Sequence, residues 1–368
     1  MKIKDNWTLE DILTLKNIKS LNLQKVKNYI QDFNSFDEFA EDFKRKKYEN
    51  FFEKDSSDFS FQIERDEAKQ QIDYCNNNHY KLITFWDALY PEMLKTILYP
   101  PIVLYVNGSL QGADSLIISI VGTRKCTVYG KIVTERFAEF FARNNLIVCS
   151  GLANGIDTIA HLSTANSRGI TYAVIASGLD CIHSSTHEKN AEKIIDSGGA
   201  IITEHKCGTN AIPSYFPQRN RIISGLSKAV LVVESDEKGG ALITARFAFD
   251  QERYLFAVPG NITSDKSRGC NMLIKKDMAI PALNPEIILE ELGLNSLITE
   301  SKTSAKMKKL VKVEDEIIYN EISFEPIQID ELVSRTNLDI SELLVRLLDL
   351  EFKGYVRQLP GKFYIRTN

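Results

Sequence analysis

The 368-residue sequence has no apolar run long enough to span a lipid bilayer, and its first residues lack the apolar core of a signal peptide. Its six cysteines are scattered and include no Cys-x-x-Cys pair, which argues against a disulfide framework and a zinc ribbon. It also lacks a basic excess, because 45 Lys and Arg stand against 49 Asp and Glu. These absences predict a cytoplasmic globular protein without a membrane, metal or cofactor requirement, in which any anion site is a local patch.

The length exceeds that of one ordinary hydrophobic core and predicts several domains. Residues 1–62 carry apolar residues at helical spacing and resemble a SAM or helix-hairpin-helix module. The glycines that bring such a hairpin to a phosphate are absent, which favours a structural or interaction domain over a DNA-binding one. Residues 297–313 are basic and predict a linker. Residues 314–368 read as three helices and a hairpin, the order of a winged helix-turn-helix.

Residues 63–296 alternate short apolar strands with helix-length amphipathic segments. This pattern predicts an α/β domain with a doubly wound, mostly parallel, Rossmann-like sheet. An edge strand near residues 81–86 and a further strand within 99–108 are expected to extend that sheet. The strands of its centre are predicted at 116–121, 146–149, 171–176, 200–203, 229–234 and 254–258.

Four turns within this region are marked by glycine or arginine, and each is expected at the carboxyl end of a strand or at the start of a helix. Such loops line the crevice in which open α/β sheets bind ligands. Three of the four carry arginine or lysine, so the ligand should be anionic, with a phosphate backbone as the leading candidate. The turns are Gly122-Thr123-Arg124, Ser150-Gly151 with Asn154-Gly155, Phe216 to Arg221, and Lys238-Gly239-Gly240.

The first turn is not a Gly-x-Gly-x-x-Gly dinucleotide fingerprint, because the next glycine is Gly130. Arg124 instead offers a guanidinium that can meet a phosphate with a two-pronged hydrogen bond. The alternative is an arginine at a helix end in a surface ion pair. In the second turn the backbone amides around Gly151 and Gly155 could cradle phosphate, or the glycines only permit a tight turn.

The third turn places Phe216 beside Arg219, Asn220 and Arg221, which together offer a stacking face, phosphate partners and a base-edge donor. The alternative is a core phenylalanine that opens a helix with solvated arginines. In the fourth turn, Lys238 and two glycines precede a helix, an arrangement suited to an anion at a helix N-terminus; a flexible charged loop is the alternative. We expect Arg124, Arg219, Arg221 and Lys238 to ring one anionic groove.

Six motifs follow one another within roughly residues 80 to 290, namely Ile120–Arg124, Ser150–His161, Phe216–Ile223, Glu234–Arg246, Val258–Gly260 and Gly269–Ile274. In sequence and in order they resemble the motifs of the DprA/Smf family. The resemblance implies a Rossmann-like fold that binds single-stranded DNA, protects incoming DNA in natural transformation and loads RecA onto it, without a known catalytic activity. It also implies a homodimer, for which the apolar residues Leu273, Ile274 and Ile280 near the end of the sheet are candidate contacts; burial in the protomer's own core is the alternative for each of them.

The single-stranded-DNA-binding residues predicted from the turns and the resemblance share one location, the loops and helix starts of the crevice. They are Gly122, Thr123, Arg124, Ser150, Gly151, Asn154, Gly155, Phe216, Arg219, Asn220, Arg221, Lys238, Gly239, Gly240 and Thr244.

Two other groupings suggest different chemistry. Cys181, His183 and His187 are metal-ligand types at short spacing, but a zinc site would need a fourth partner. The family typically has Tyr-Pro where this sequence has His183-Ser184, so a family DNA contact there, including one by Lys189, is in doubt.

Ser150, Asp157 and His161 could suggest a hydrolase. However, Asp157 and His161 lie four apart on one predicted helix, and no Gly-x-Ser-x-Gly elbow presents the serine. Asp157 is instead expected to cap the free N–H groups of that helix.

Two rival functions remain open. One is a nucleoside-monophosphate phosphoribohydrolase or other nucleotide N-glycosidic hydrolase of the lysine-decarboxylase-like group, which the sequence disfavours because the segment Glu234–Thr244 lacks that group's general acid. The other is a nucleotide-sensing module.

The composition of residues 314–368 argues against DNA binding by the predicted winged helix, because acidic residues outnumber basic ones on its presumed recognition helix. We therefore expect this tail to be a protein-interaction or accessory module.

Overall fold

In the computed structural model of this chain, the described residues are 6–18, 21–45, 61–111, 115–182, 184–294, 313–323 and 325–366. The chain divides into two compact units, one of Met1–Cys126 with Thr134–Leu294 and one of Thr127–Val133 with Asn295–Asn368. None of the helices within the described ranges is both long and apolar enough to cross a membrane.

The larger unit is built on a nine-stranded sheet in the order β1-β2-β6-β5-β4-β3-β7-β8-β9. β1 and β2 pair antiparallel with each other, and β2 pairs antiparallel with β6, whereas every other neighbouring pair is parallel. The strands are β1 (Lys81–Thr84), β2 (Val103–Gly108), β3 (Ile117–Val121), β4 (Ile147–Ser150), β5 (Thr171–Val174), β6 (Ala200–Thr203), β7 (Ala229–Val232), β8 (Tyr254–Ala257) and β9 (Ile280–Pro281).

Helices cover both faces of this sheet. They are α1 (Leu9–Asn17), α2 (Leu23–Asp32), α3 (Phe36–Arg45), α4 (Phe61–Asn77), α5 (Glu92–Lys95), α6 (Val128–Arg143), α7 (Ile156–Asn166), α8 (Ser185–Asp196), α9 (Tyr215–Leu226), α10 (Ala241–Asp250), α11 (Asp265–Lys275) and α12 (Pro285–Glu291). The predicted α/β, mostly parallel architecture is confirmed, and so is the position of β1 at the edge of the sheet.

Alternate residues of one strand enter different cores, because successive side chains of a strand point to opposite faces. Leu104 and Val106 of β2 belong to the core that also contains buried residues of α9, α10 and α11, whereas Val103 and Tyr105 belong to the core that contains the N-terminal helices. The helices of residues 1–62 therefore share their core with the sheet. The domain boundary predicted at residue 62 stays a prediction.

The smaller unit contains α13 (Val313–Glu321), α14 (Ile329–Thr336) and α15 (Ile340–Phe352) with a sheet in the order β10-β12-β11. Its strands are β10 (Ile327–Gln328), β11 (Val356–Leu359) and β12 (Phe363–Arg366). These elements enclose one apolar core and form the predicted winged helix. The predicted basic linker, 297–313, lies outside the described residues except for Val313, which begins α13.

The strand order places a topological switch beside β3. From β3 the chain adds β4, β5 and β6 on one side, and later adds β7, β8 and β9 on the other side. The loops that follow β3 and β7 therefore diverge, and a crevice opens between them at the carboxyl ends of the strands, where open α/β sheets bind ligands.

Candidate functional site

A crevice with a volume of about 560 Å³ occupies this switch point. The loops after β3, β4 and β7 form its floor, and the first turns of α9 and α10 form its sides. Its lining consists of Val121, Gly122, Thr123, Arg124, Ala153, Asp157, Pro213, Phe216, Pro217, Arg219, Asn220, Ile223, Ser235, Asp236, Gly239, Gly240, Ala241, Ile243 and Thr244.

Two glycines allow the loops after β3 and β4 to pack directly on each other. A Cβ at position 122 would lie 2.5 Å from Cγ1 of Ile156, the first residue of α7. Gly155 has a φ of +81°, and a Cβ there would lie 2.4 Å from the carbonyl oxygen of Thr123. The N–H of Ile156 donates to that same carbonyl, and the N–H of Thr123 donates to the carbonyl of Glu234 after β7. These glycines thus fix the crevice floor, and their role is tight packing.

Arg124 stands exposed at the edge of this floor. Its guanidinium carbon lies 5.4 Å from the centroid of the Phe216 ring, within cation–π distance. Phe216 is half-buried in the first turn of α9. Within the described ranges Arg124 forms no ion pair, so the positive charge faces the crevice without a protein carboxylate to neutralise it.

Arg219 has a different environment, because its side chain is only 4 % exposed. It donates one hydrogen bond of 2.6 Å to the carbonyl oxygen of Gly151 and another to that of Val174. Burial lowers the pKa of Arg219 to about 10, and the nearby Asp157 partly opposes that shift. Arg219 therefore ties together the ends of two neighbouring strands beneath the crevice surface.

Asp157 lies in the first turn of α7 and is also buried. Burial raises its pKa, while the charge of Arg219 and hydrogen bonds to Ser150 and to the backbone of Ala153 and Gly151 act in the opposite direction. The prediction that Asp157 caps the free N–H groups of α7 is therefore wrong: the carboxylate binds the loop that precedes the helix and faces Arg219 across Gly151.

The start of α10 forms the opposite side of the crevice. The residue preceding this helix, Gly240, is exposed with open space around it, and no side chain of the described residues caps the helix. An uncapped helix N-terminus carries a partial positive charge that favours anions. Asp236, which also lines the crevice, is paired with Lys266 at 2.9 Å, so its negative charge is locally balanced.

The structure separates some of the residues that we expected to share one groove. Arg221 is directed to a different cavity, where it pairs with Glu204 at 2.5 Å, so the prediction of a common groove is wrong for this residue. Lys238 is exposed in the loop before α10 but does not line the crevice. Asn154 is exposed, and its Oδ1 lies 3.0 Å from Nε2 of His187.

The candidate hydrolase residues do not form a catalytic relay. Ser150 is buried at the end of β4 and donates its hydroxyl to the carbonyl of Ile120. His161 is buried, and its Nδ1 lies 2.7 Å from the hydroxyl of Thr171. Burial lowers the pKa of His161 to about 3, so the ring is neutral at physiological pH. Of the candidate metal ligands, His183 lies outside the described residues.

The candidate dimer contacts differ in exposure. Leu273 is 7 % exposed and packs in the core of its own protomer, which makes it unsuitable as an intersubunit contact. Ile274 and Ile280 are half-buried, and Ile280 belongs to the edge strand β9.

Several lining residues were missed by the sequence analysis, among them Ser235, Asp236 and Ile243. Ser235 and Asp236 directly follow the strand segment 229–234, so their position at a carboxyl end was an available signal. Ile243 carried none, because an apolar residue in a helix normally indicates a core position.

An open, mostly parallel sheet with a cation-bearing crevice at its switch point defines a Rossmann-like ligand-binding protein. The model of the family DNA recombination-mediator protein A matches residues 81–293, and that of the DprA winged helix domain matches residues 311–362. Protein Smf of Escherichia coli is 35% identical over 291 residues, which are 78% of this chain and 77% of that protein. The chain therefore belongs to the DprA/Smf family.

Other relatives agree in sequence and in fold. DNA processing protein DprA of Bacillus subtilis is 39% identical over 204 residues, or 55% of this chain and 68% of that protein. The structure of DNA processing protein A from Streptococcus pneumoniae superimposes with a TM-score of 0.63 at 29% identity, covering 79% of this chain and 99% of that one. The structure of DNA processing protein A from Helicobacter pylori superimposes with a TM-score of 0.53 at 28% identity, covering 60% of this chain and 96% of that one.

Proposed function

We propose that this chain binds single-stranded DNA in the crevice at the switch point. The proposal depends on the exposed Arg124 guanidinium, which lies over the Phe216 ring at the mouth of the crevice and pairs with no carboxylate among the described residues. The start of α10 lines the same crevice. The Helicobacter pylori relative, described for its single-stranded DNA binding mode, supports the same ligand class.

The chemistry of the crevice favours a single strand over a duplex. A phosphate can accept hydrogen bonds from Arg124 and from the N–H group of Ala241, the first residue of α10. The next two N–H groups of this helix already donate to the carbonyls of Gly239 and Gly240. A base that is free of its complement can stack on the Arg124–Phe216 pair, a contact that every base can make. Bases of a duplex are already paired and stacked. We therefore expect little base preference and weaker duplex binding.

Equilibrium binding tests this proposal directly. Fluorescence anisotropy is measured with a labelled oligonucleotide, with its duplex, and with AMP as competitor. We expect tight binding of the single strand, weaker binding of the duplex and negligible competition by AMP. Equal affinity for the duplex would refute the single-strand proposal, and strong AMP competition would favour the nucleotide-sensing or hydrolase alternative.

We further propose that the bound strand is delivered to RecA and that the protein acts without catalysing a reaction of its own. The family description, a DNA recombination mediator, supports this role. The assay is RecA nucleation on a single strand, followed by its ATP hydrolysis, with and without this protein. We expect this protein to stimulate RecA nucleation and ATP hydrolysis, and Arg124→Ala to lose that stimulation. Stimulation that does not depend on Arg124 would show that RecA loading does not require the crevice.

The winged helix is proposed to contact protein. On α15, Arg346 pairs with Glu342 at 2.5 Å, and Lys353, which directly follows the helix, pairs with Asp349, so both cations are already engaged. Phosphate binding by this helix would have to displace those carboxylates. The same helix exposes apolar side chains, namely Val345, Leu348 and Phe352.

A further inference from the structure

A second cavity, with a volume of about 600 Å³, lies elsewhere in the larger unit. It is bounded by α2, by the segment between α5 and β2, and by the residues that follow β6. Four cationic side chains line it, against a single carboxylate, that of Glu204. The four are Lys16, Lys27, Lys95 and Arg221.

Two of these cations are held close together on an apolar surface. The ammonium nitrogens of Lys27 and Lys95 lie 3.9 and 5.8 Å from the centroid of the Phe85 ring. Burial and the neighbouring charge of Lys95 lower the pKa of Lys27. Lys95 pairs with Glu92, whereas Lys27 has no ion pair among the described residues. Charges so arranged repel each other, and a bound anion would relieve that repulsion.

The other two cations converge on Glu204. Lys16 donates to its carbonyl oxygen at 2.8 Å, and Arg221 binds its carboxylate. Nη1 of Arg221 is buried and has no hydrogen-bond partner in the described part of the chain. An unpaired buried N–H group is costly, and an acceptor within the cavity would satisfy it. The single carboxylate is therefore already paired with Arg221, and the cavity keeps a net positive charge.

The rim of the second cavity supplies a stacking surface. Tyr99 is 64 % exposed and is followed by two prolines, which restrict the backbone that presents the ring. An exposed aromatic ring beside fixed cations is the combination that binds single-stranded nucleic acid without sequence preference.

Both cavities lie along the same edge of the sheet. Glu204 follows β6 as Gly122 follows β3, and three strand intervals separate β6 from β3. At a spacing of about 4.8 Å per strand, the two sites are roughly 15 Å apart along this edge. Helix α9 contributes to both, because Asn220 lines the crevice and Arg221 lines the second cavity.

We propose that the second cavity is a further binding site for the same single strand, with phosphates on Lys27, Lys95 and Arg221 and a base on Tyr99. This inference rests on the proposed function of the crevice. A strand stacked at about 3.4 Å per nucleotide needs four to five nucleotides to connect the two sites. Very short oligonucleotides should therefore use the crevice alone.

The test compares oligothymidylates of about three and about fifteen nucleotides, only the longer of which can reach both sites. The variants are Lys27→Ala/Lys95→Ala and, independently, Tyr99→Ala. Lys228→Ala is the control, because this exposed lysine precedes β7 at the opposite edge of the sheet. Melting temperatures confirm that each variant is folded.

We expect the double variant to bind the longer strand roughly 25-fold more weakly than the wild type at 0.1 M salt. This is the counterion-release value for the loss of two phosphate contacts, and the salt slope should flatten by about 1.4. Tyr99→Ala should weaken the same strand at least fivefold, and both should bind the short strand as the control does. Unchanged affinity for the longer strand, or equal weakening for both lengths, would overturn the proposal. Arg124→Ala should weaken both lengths; if it weakens neither, the proposed function of the crevice fails instead.

Discussion

Two arginines of the crevice should give opposite results when each is replaced by alanine, although both line the same space. Arg124 is exposed and pairs with no carboxylate in the described part of the chain, so its replacement should change the free energy of unfolding by no more than about 0.5 kcal/mol. If it neutralises one phosphate, the salt slope of single-strand binding should flatten by about 0.7, equally for all sequences. Arg124→Lys keeps the charge but loses the two-pronged geometry, so it should recover only part of the affinity.

Arg219→Ala should act on stability. It leaves the carbonyl groups of Gly151 and Val174 without a buried donor, and it removes the cation that faces Asp157. Loss of one member of a buried charged network costs about 3–5 kcal/mol. At about 2.1 cal/mol/K of unfolding entropy per residue, that corresponds to a fall in the melting temperature of the larger unit of roughly 5–8 °C.

Both readouts are needed for both variants. Thermal melting reports stability, and anisotropy titrations at several salt concentrations report the slope, with Lys228→Ala as the control. An Arg124→Ala variant that melts several degrees lower and keeps the full slope would show that Arg124 braces the fold. An Arg219→Ala variant of unchanged stability would refute the role of Arg219 as a tie between strand ends.

Three further predictions concern other parts of the chain. The pKa of His161 is lowered from 6.5 to about 3, so the free energy of unfolding should decrease as the pH falls below 6.5, by up to about 1.4 kcal/mol per pH unit. Denaturant titrations at several pH values measure this dependence, and His161→Gln should flatten it. Sedimentation should show a homodimer that Ile274→Asp or Ile280→Asp weakens; a monomeric wild type at micromolar concentration would exclude it. Truncation before Glu314 should leave single-strand affinity nearly intact, and a hundredfold loss would assign DNA binding to the winged helix.

Much of the site could be predicted because it depends on local sequence. Strands that end in a glycine turn place their loops at one edge of a parallel sheet, and this rule brought Gly122, Gly151 and Gly239 to the same region. The separation of Arg219 from Arg221 also follows from local geometry. Residues two apart on a helix point about 200° from each other, so both arginines could not face one groove.

The burial of Arg219 could not be predicted in this way. Its acceptors are the carbonyl of Gly151 after β4 and the carbonyl of Val174 at the end of β5, which come from two distant parts of the sequence. Only the assembled order of the strands shows that one guanidinium can reach both. A sequence pattern identifies an arginine near a turn, but its environment decides whether the charge binds a ligand or the protein itself.

The second cavity depends on the same kind of assembly. Because β2 runs antiparallel to β6, the segment that enters β2 lies at the carboxyl edge of the parallel strands. β1 is antiparallel to β2, so Phe85, which follows β1, lies at that edge as well. The two added strands therefore bring Tyr99 and the lysines on Phe85 into line with the crevice. Had β2 been added parallel to β6, its entering segment would lie at the amino edge, and no continuous path for a single strand could join the two sites.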